Sequence, residues 1–222
     1  MQRLLEQTGL VHNTKEFDRA ATAVERDKRQ DRWQYRISKT TFDTEHVAVG
    51  APHGAKLVSV ELNADVIGRL PLDATSGDPF TKLAIDIGLQ GQDAEGNGVY
   101  FAWHFDRHPD GGSRAAVTHP RYHVQHAGRN LISRDLSWGR ALFMETPRLI
   151  HPPLDGVLAV DLVLCEFLPR TWARLRRDGQ YVALVRAAHH RYWKPYVEVI
   201  ASGMSRDTKG NGKSTDLWPS LC

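Results

Sequence analysis

The sequence predicts an α+β fold, in which an antiparallel sheet occupies the first two thirds of the chain and N-terminal and C-terminal helices pack on one of its faces. Two patterns support this prediction. From residue 33 onward, apolar and polar residues alternate in short runs separated by Gly and Pro, as in strands with one buried face. After residue 154, long apolar runs and helical spacing replace the alternation. Strands followed by helices favour this class over alternating βαβ units.

The first element is expected to be a helix over residues 14–31. Its apolar residues recur at intervals that place them on one side of a helix, and Asn13 or Thr14 stands where a cap is needed. We therefore expect an amphipathic helix that packs by one face. The residues of its apolar stripe are Phe17, Ala20, Ala21 and Val24.

The sheet is expected over residues 33–146. Its clearest hairpin joins two strands in which every second residue is apolar, through a connection rich in Gly, Asp and Asn. Pairing Leu89 with Val99 places Ile85 opposite Trp103. The strands are expected around Tyr35 and Ile37, around Val47 and Val49, from Val58 to Leu62, and over residues 83–89, 99–105 and 121–125.

The region 154–200 is expected to be helical. Its first helix is almost wholly apolar, and Asp155 at its start is placed to cap it. Asp161 interrupts the apolar run, so its carboxylate must be paired, exposed or protonated. Pro195 is expected to kink or end the last helix. The three helices are expected over residues 154–168, 171–177 and 180–200.

Composition limits the class of protein. The 222 residues suit one domain, which we place at residues 1–202, followed by a flexible tail over residues 203–222 with an apolar end. A hydrophobic fraction of 41% is ordinary for a globular protein, and a net charge of +3 is too small for the whole chain to attract nucleic acid. Two cysteines without zinc-binding spacing, and no apolar run of membrane-spanning length, favour a cytoplasmic protein with no membrane role.

Five of the eleven histidines lie between residues 104 and 126. Because Trp103 is expected to face the core, His104 and Asp106 should lie on the opposite face of the same strand. The following strand should present Arg121, His123 and Gln125 on that face as well. We therefore expect these five polar side chains to converge on one wall of the sheet.

Three interpretations of this wall remain open. Without a metal, His104 and His123 would act as general acid and base, Asp106 would orient a histidine and Arg121 would stabilise an anion. With a divalent metal as cofactor, His104, Asp106 and His123 would be its ligands and would leave positions for water or substrate. The third interpretation is a solvated sheet face, on which such residues are ordinary.

A basic region lies between residues 170 and 194, which hold seven Arg and Lys residues and one acidic residue, Asp178. Arg170, Arg174 and Arg177 recur at intervals of four and three, so they should share one helix face. Arginines interleaved with aromatic residues suit nucleic acid or another phosphate-bearing ligand. Charged residues at such spacing also line ordinary solvated faces.

The end of the tail carries Leu217, Trp218 and Leu221. These side chains would expose large apolar surfaces in water, so we expect them to dock on this chain or on a protein partner.

Two functional hypotheses follow, and they belong to different classes. In the first, the protein is a non-catalytic component of a cytoplasmic assembly, which binds a partner protein or nucleic acid through its basic helices and its C-terminal apolar cluster. In the second, it is a small hydrolase that acts on a phosphate ester or nucleic acid through the histidine-bearing face, with or without a metal. No complete catalytic signature is present, which favours the first hypothesis.

Overall fold

The computed structural model describes residues 1–27, 32–44, 56–69, 78–108, 120–126 and 148–204. Within these residues the α+β class is confirmed, because seven antiparallel strands form one sheet and helices from both ends of the chain accompany it. The strands follow one another in the sheet in chain order, so each pairs with its neighbours in the sequence.

The strands are β1 Val11–His12, β2 Arg32–Asp43, β3 Lys56–Arg69, β4 Phe80–Gln92, β5 Gly98–Arg107, β6 Tyr122–His126 and β7 Leu149–Ile150. The helices are α1 Gln2–Glu6, α2 Lys15–Asp27, α3 Gly156–Phe167, α4 Pro169–Leu175, α5 Gly179–Ala188 and α6 Lys194–Met204, with a π-helical turn His189–Trp193 between the last two. The short elements α1, β1 and β7 were not predicted from the sequence.

One face of the sheet carries the hydrophobic core. Val60 and Leu62 on β3 are fully buried, and so are Ile85 and Ile87 on β4, where every second residue points the same way. Helix α2 packs on β2, and α3 packs on β3 and β4. The burial of these apolar side chains is the main stabilising contribution to the fold, and it leaves the opposite face of the sheet for polar residues.

The hairpin β4–β5 corrects the predicted register by two residues. We expected Leu89 opposite Val99 and Ile85 opposite Trp103. The shift is even, so every side chain stays on its predicted face. The observed pairs include Leu89 with Phe101, Ile87 with Trp103 and Ile85 with Phe105.

The shift arises because the turn is centred on residue 95, whereas the predicted pairing of Leu89 with Val99 centres it on residue 94. The strands remain paired as far as Gln92 and Gly98. The Asp93 carboxylate then accepts hydrogen bonds from the backbone N–H groups of Glu95 and Asn97, at 3.1 and 2.7 Å. These bonds close a compact turn over residues 93–97.

Asp155, the N-cap of the apolar helix α3, and Asp161 within that helix have defined partners. Asp155 caps the helix as predicted and accepts a hydrogen bond from the Leu158 N–H at 2.9 Å. The Asp161 carboxylate accepts hydrogen bonds from Trp172 Nε1 at 2.9 Å and from the Tyr181 hydroxyl at 2.6 Å. Of the three states expected for Asp161, the structure therefore shows the paired one.

The helix predicted over residues 180–200 is divided by the π-helical turn. Pro195 is the second residue of α6, and it has no N–H to donate to the preceding turn. The turn places Tyr192 in the core and leaves Arg191 exposed. Trp193 Nε1 donates to the Pro153 carbonyl at 2.8 Å, which fixes the turn beside the start of α3.

Two predicted features lie outside the described residues. These are the strand around Val47 and Val49 and the C-terminal cluster of Leu217, Trp218 and Leu221. Gly203 and Met204, which we assigned to the tail, belong to α6.

Candidate functional site

The histidine-bearing wall lies on the face of the sheet opposite the core. On β5, His104 pairs with Gln125 of β6, and Asp106 pairs with His123. Trp103 points to the other side, where it packs with the aromatic residues of the core. The predicted placement of His104, Asp106 and His123 on one face is therefore observed. On one face of a strand, adjacent side chains belong to residues two apart in the sequence, and the Cα atoms of such residues are about 7 Å from each other.

His104 is oriented by a carboxylate that the sequence analysis missed. Asp86 lies directly opposite His104 in the β4–β5 register, and its carboxylate is bound to His104 Nδ1. A histidine held at Nδ1 presents Nε2 for proton transfer, as in hydrolytic sites that pair a carboxylate with a histidine. The side chain of His104 is mostly buried, whereas that of Asp86 is partly exposed.

Asp106 is the second ionisable group of the wall with unusual surroundings. Burial raises the pKa of its carboxyl above the ordinary value. Burial is the largest influence on this pKa; the interactions with His104 and Arg148 lower it, and the negative charge of Asp86 raises it. A carboxyl group of raised pKa beside an oriented histidine can act as a general acid.

His123 is buried and is held by the backbone. Its Nδ1 lies 3.1 Å from the Pro120 carbonyl oxygen. Among the residues that the structure describes, no group of three or more His, Cys, Asp or Glu side chains is arranged to hold a metal ion. His104, Asp106 and His123 therefore share a face without converging on one point, which leaves the predicted divalent-metal site unsupported.

Arg121 binds a carboxylate at the end of the sheet. Its Nη1 lies 2.7 Å from Asp78 Oδ2, and Asp78 also accepts two hydrogen bonds from Arg107 and one from the Tyr122 hydroxyl. Burial raises the pKa of Asp78, but the hydrogen bonds from Arg107, Tyr122 and Arg121 outweigh it and hold this pKa below the ordinary value. The Asp78 cluster ties the starts of β4 and β6 to the end of β5.

The basic region extends from α4 through α5 and the π-helical turn to Lys194, the first residue of α6. All seven of its Arg and Lys residues are exposed. Arg170 and Arg174 lie one turn apart on α4, and Arg177 follows in the turn that leads to α5. The Arg176 guanidinium lies 5.4 Å from the centre of the Trp172 ring, over its face.

A cavity of about 650 Å³ lies between α2, β2 and the beginning of α3. Its size is that of a pocket for a small molecule. It could not be predicted from sequence patterns, because its walls come from five separate segments of the chain. These are the N-terminal residues Met1 and Gln2, the apolar side chains of α2, the side chains of β2, the start of α3 and the π-helical turn. The lining includes the apolar side chains of Phe17 and Val24 and the polar side chains of Tyr35, Asp155, Arg191 and Tyr192.

Within the described part of the chain, no helix has both the length and the apolar character needed to cross a membrane. No protein-family model, curated protein or solved structure matches the chain.

Proposed function

We propose that this protein is a non-catalytic binding component that holds nucleic acid through its basic C-terminal helices. The observation behind this proposal is the separation of charge in that region. The seven cationic side chains point into solvent. Two neighbouring carboxylates are held by other groups, because Asp161 of α3 binds Trp172 and Tyr181, and Asp178 caps α5. Of the seven cations, Lys194 pairs with Glu198 on α6 at 2.6 Å.

This arrangement leaves a local positive field that the small net charge of the whole chain conceals. Asp178 accepts hydrogen bonds from the backbone N–H groups of Gln180 and Tyr181, so it is held at the helix end. Exposed guanidinium groups bind phosphates through paired hydrogen bonds, and a half-buried indole such as that of Trp172 offers a stacking surface for a base.

The test is charge reversal at Arg170, Arg174 and Arg177, followed by titration of a fluorescein-labelled single-stranded RNA in increasing salt. We expect wild-type affinity to fall steeply with salt, and the triple Glu variant to bind weakly with a salt slope reduced by about 2. Reversal of three exposed cations elsewhere changes the net charge equally and serves as the control. These are Arg3, Lys15 and Lys56.

If both triple variants lose affinity to the same extent, binding follows net charge and the proposed surface is wrong. If wild type binds an acidic protein but no RNA, the partner class is wrong.

A protein partner held through Leu217, Trp218 and Leu221 is the second binding mode in this proposal. Deleting residues 216–222 should abolish such a complex without lowering the melting temperature. A lower melting temperature would instead indicate that the cluster docks on its own chain.

A hydrolase is the second candidate function, and it rests on the pairing of His104 with Asp86 beside Asp106. In this reaction His104 Nε2 would take a proton from water as the water oxygen forms a bond to phosphorus. Asp106, protonated, would give its proton to the departing ester oxygen. Arg148 is the cation whose charge acts on Asp106, and it is placed better than Arg121 to stabilise the phosphate.

The test is hydrolysis of bis(4-nitrophenyl) phosphate by wild type and His104→Gln. The matched control is His12→Gln, because His12 Nε2 lies 2.8 Å from Asp43 in an exposed pair at the edge of the sheet. Loss of at least a hundredfold in His104→Gln, with His12→Gln unchanged, is the result expected for a general base. Equal activity in all three proteins would exclude His104 as the base.

A further inference from the structure

The cavity beneath α2 has walls that suit an apolar body. Phe17 and Val24 of the α2 stripe line one side, and Val157 lines the other. Tyr35 is only partly buried and turns its ring toward this space, with the Trp33 ring stacked 6.0 Å behind it. A ligand that fills the cavity would therefore remove apolar surface from water on several sides.

The polar groups of the cavity have hydrogens to donate but few acceptors to offer. The Tyr35 oxygen accepts a hydrogen bond from the Gly156 N–H at 2.8 Å, and no described residue accepts the proton of that hydroxyl. The Tyr192 oxygen faces the Arg191 guanidinium in the same way. The Asp155 carboxylate already accepts the N–H groups that it caps. A ligand is therefore needed that accepts hydrogen bonds.

The charged groups around the cavity also favour a ligand that accepts hydrogen bonds. Arg191 is exposed at the edge of the cavity, and its charge acts on Asp155. The other carboxylate of the lining, Asp18, interacts with the Met1 amino group, so the two charges offset each other. The N–H groups at the start of α3 are already used, because Leu158 donates to Asp155 and Gly156 donates to the Tyr35 oxygen.

We infer that this cavity binds a small organic monoanion with an apolar or aromatic body, such as an aryl-substituted carboxylate. The anionic head lies at the Tyr35 and Tyr192 hydroxyls and Arg191, and the body lies against Phe17 and Val24. This site is separate from the surface of Arg170, Arg174 and Arg177, and it does not depend on the binding of nucleic acid.

Asp155 makes the inference sensitive to pH. Its carboxylate would repel an anionic head while ionised, and burial raises its pKa to about 6. The charged and titratable groups that face it are Tyr35 on β2, Arg191 and Tyr192 on the π-helical turn, Asp18 on α2 and the Met1 amino group. Binding of the anion should therefore draw a proton onto Asp155. Affinity should rise about tenfold per unit as the pH falls from 8 toward 7, and should level off below about 6.

The experiment is calorimetric titration with phenylacetate and with phenethylammonium, two probes of similar body and opposite head charge. Both keep their charge between pH 6 and 8. We expect phenylacetate to bind and phenethylammonium to bind at least tenfold more weakly. Arg191→Gln, an exposed substitution that should not affect folding, should weaken phenylacetate at least tenfold.

Asp155→Asn separates the pH effect of this residue from that of the Met1 amino group. Asn is also a good helix cap, so the variant should fold, bind phenylacetate more tightly at pH 8 and lose the pH dependence. Asp178→Asn is the matched control, because it changes the cap of α5 outside the cavity. The inference is wrong if phenethylammonium binds more tightly than phenylacetate, if neither binds at millimolar concentration to folded protein, or if Asp155→Asn keeps the full pH dependence.

Discussion

Replacing Asp78 with Asn removes the carboxylate that Arg107 and Arg121 share. The side chain of Asp78 is 13% exposed, and those of its two partners are 10% and 15% exposed, so the ion pairs are largely shielded from water. Loss of one member of a buried ion pair destabilises a protein by about 3–5 kcal/mol, because the remaining charges stay buried. For a chain of this size, that corresponds to a fall in melting temperature of about 6–10 °C.

Asp65→Asn is the matched control. Asp65 also binds two cations, Arg36 at 2.8 Å and Lys82 at 2.7 Å, but it is 28% exposed and the cations are more exposed still. We expect a loss of about 1 kcal/mol or less, because solvent screens such pairs. Asp65 pairs with two cations, as Asp78 does, but it lacks the hydrogen bond that Asp78 accepts from Tyr122, so the comparison tests burial together with that bond.

The assay is thermal and denaturant unfolding of wild type and both variants across a range of pH. The folded-state pKa of Asp78 is lower than the unfolded value of about 4, so its stabilising contribution is present above pH 4 and is lost as the pH falls through the folded value. The difference between wild type and Asp78→Asn should therefore shrink in acid. A loss in Asp78→Asn no larger than that in Asp65→Asn at pH 7 would refute the reasoning.

Three further predictions concern the core and its helices. The pKa of Asp155 is about 6 in the folded protein and about 4 in the unfolded chain. The free energy of unfolding should therefore fall by up to about 3 kcal/mol as the pH rises from 4 to 7. Denaturant unfolding of Asp155→Asn over the same pH range should not show this fall. In Gly68→Ala the new Cβ would overlap the Trp33 ring, which should lower the free energy of unfolding by about 1–3 kcal/mol. Gly98→Ala has open space around the new Cβ and should change the melting temperature little. Asp161→Ala removes the acceptor of two hydrogen bonds between helices and should lower the free energy of unfolding by about 1–3 kcal/mol; an unchanged denaturant midpoint would contradict this.

The faces of the sheet could be predicted from the sequence, whereas the register could not. Alternation has a period of two, so it assigns Trp103 and His104 to opposite sides whatever the pairing. Pairing depends on where the turn begins, and the Asp93 side chain decides that through its bonds to the backbone. Because the predicted register was wrong by two residues, the pairing of His104 with Asp86 could not be predicted; only the observed register places Asp86 opposite His104.

The Asp78 cluster and the cavity were beyond the reach of sequence patterns. Asp78 precedes β4 among residues typical of a turn, and nothing local marks it as the shared partner of Arg107 and Arg121. An alternation pattern does place Arg121 on the histidine face, but its long side chain lies outside β6 and reaches the nearest buried carboxylate instead.

The sequence by itself determined the α+β class, the two faces of the sheet, the cap at Asp155 and the exposed charge of the basic helices. Each of these depends on periodicity or on the nearest neighbours in the chain, and those are properties that a sequence displays directly. The tertiary structure alone decided which charges meet, such as His104 with Asp86, and which distant segments enclose the cavity between Tyr35 and Arg191. Such contacts follow from the packing of elements far apart in the chain, where side-chain length and turn geometry set the partner.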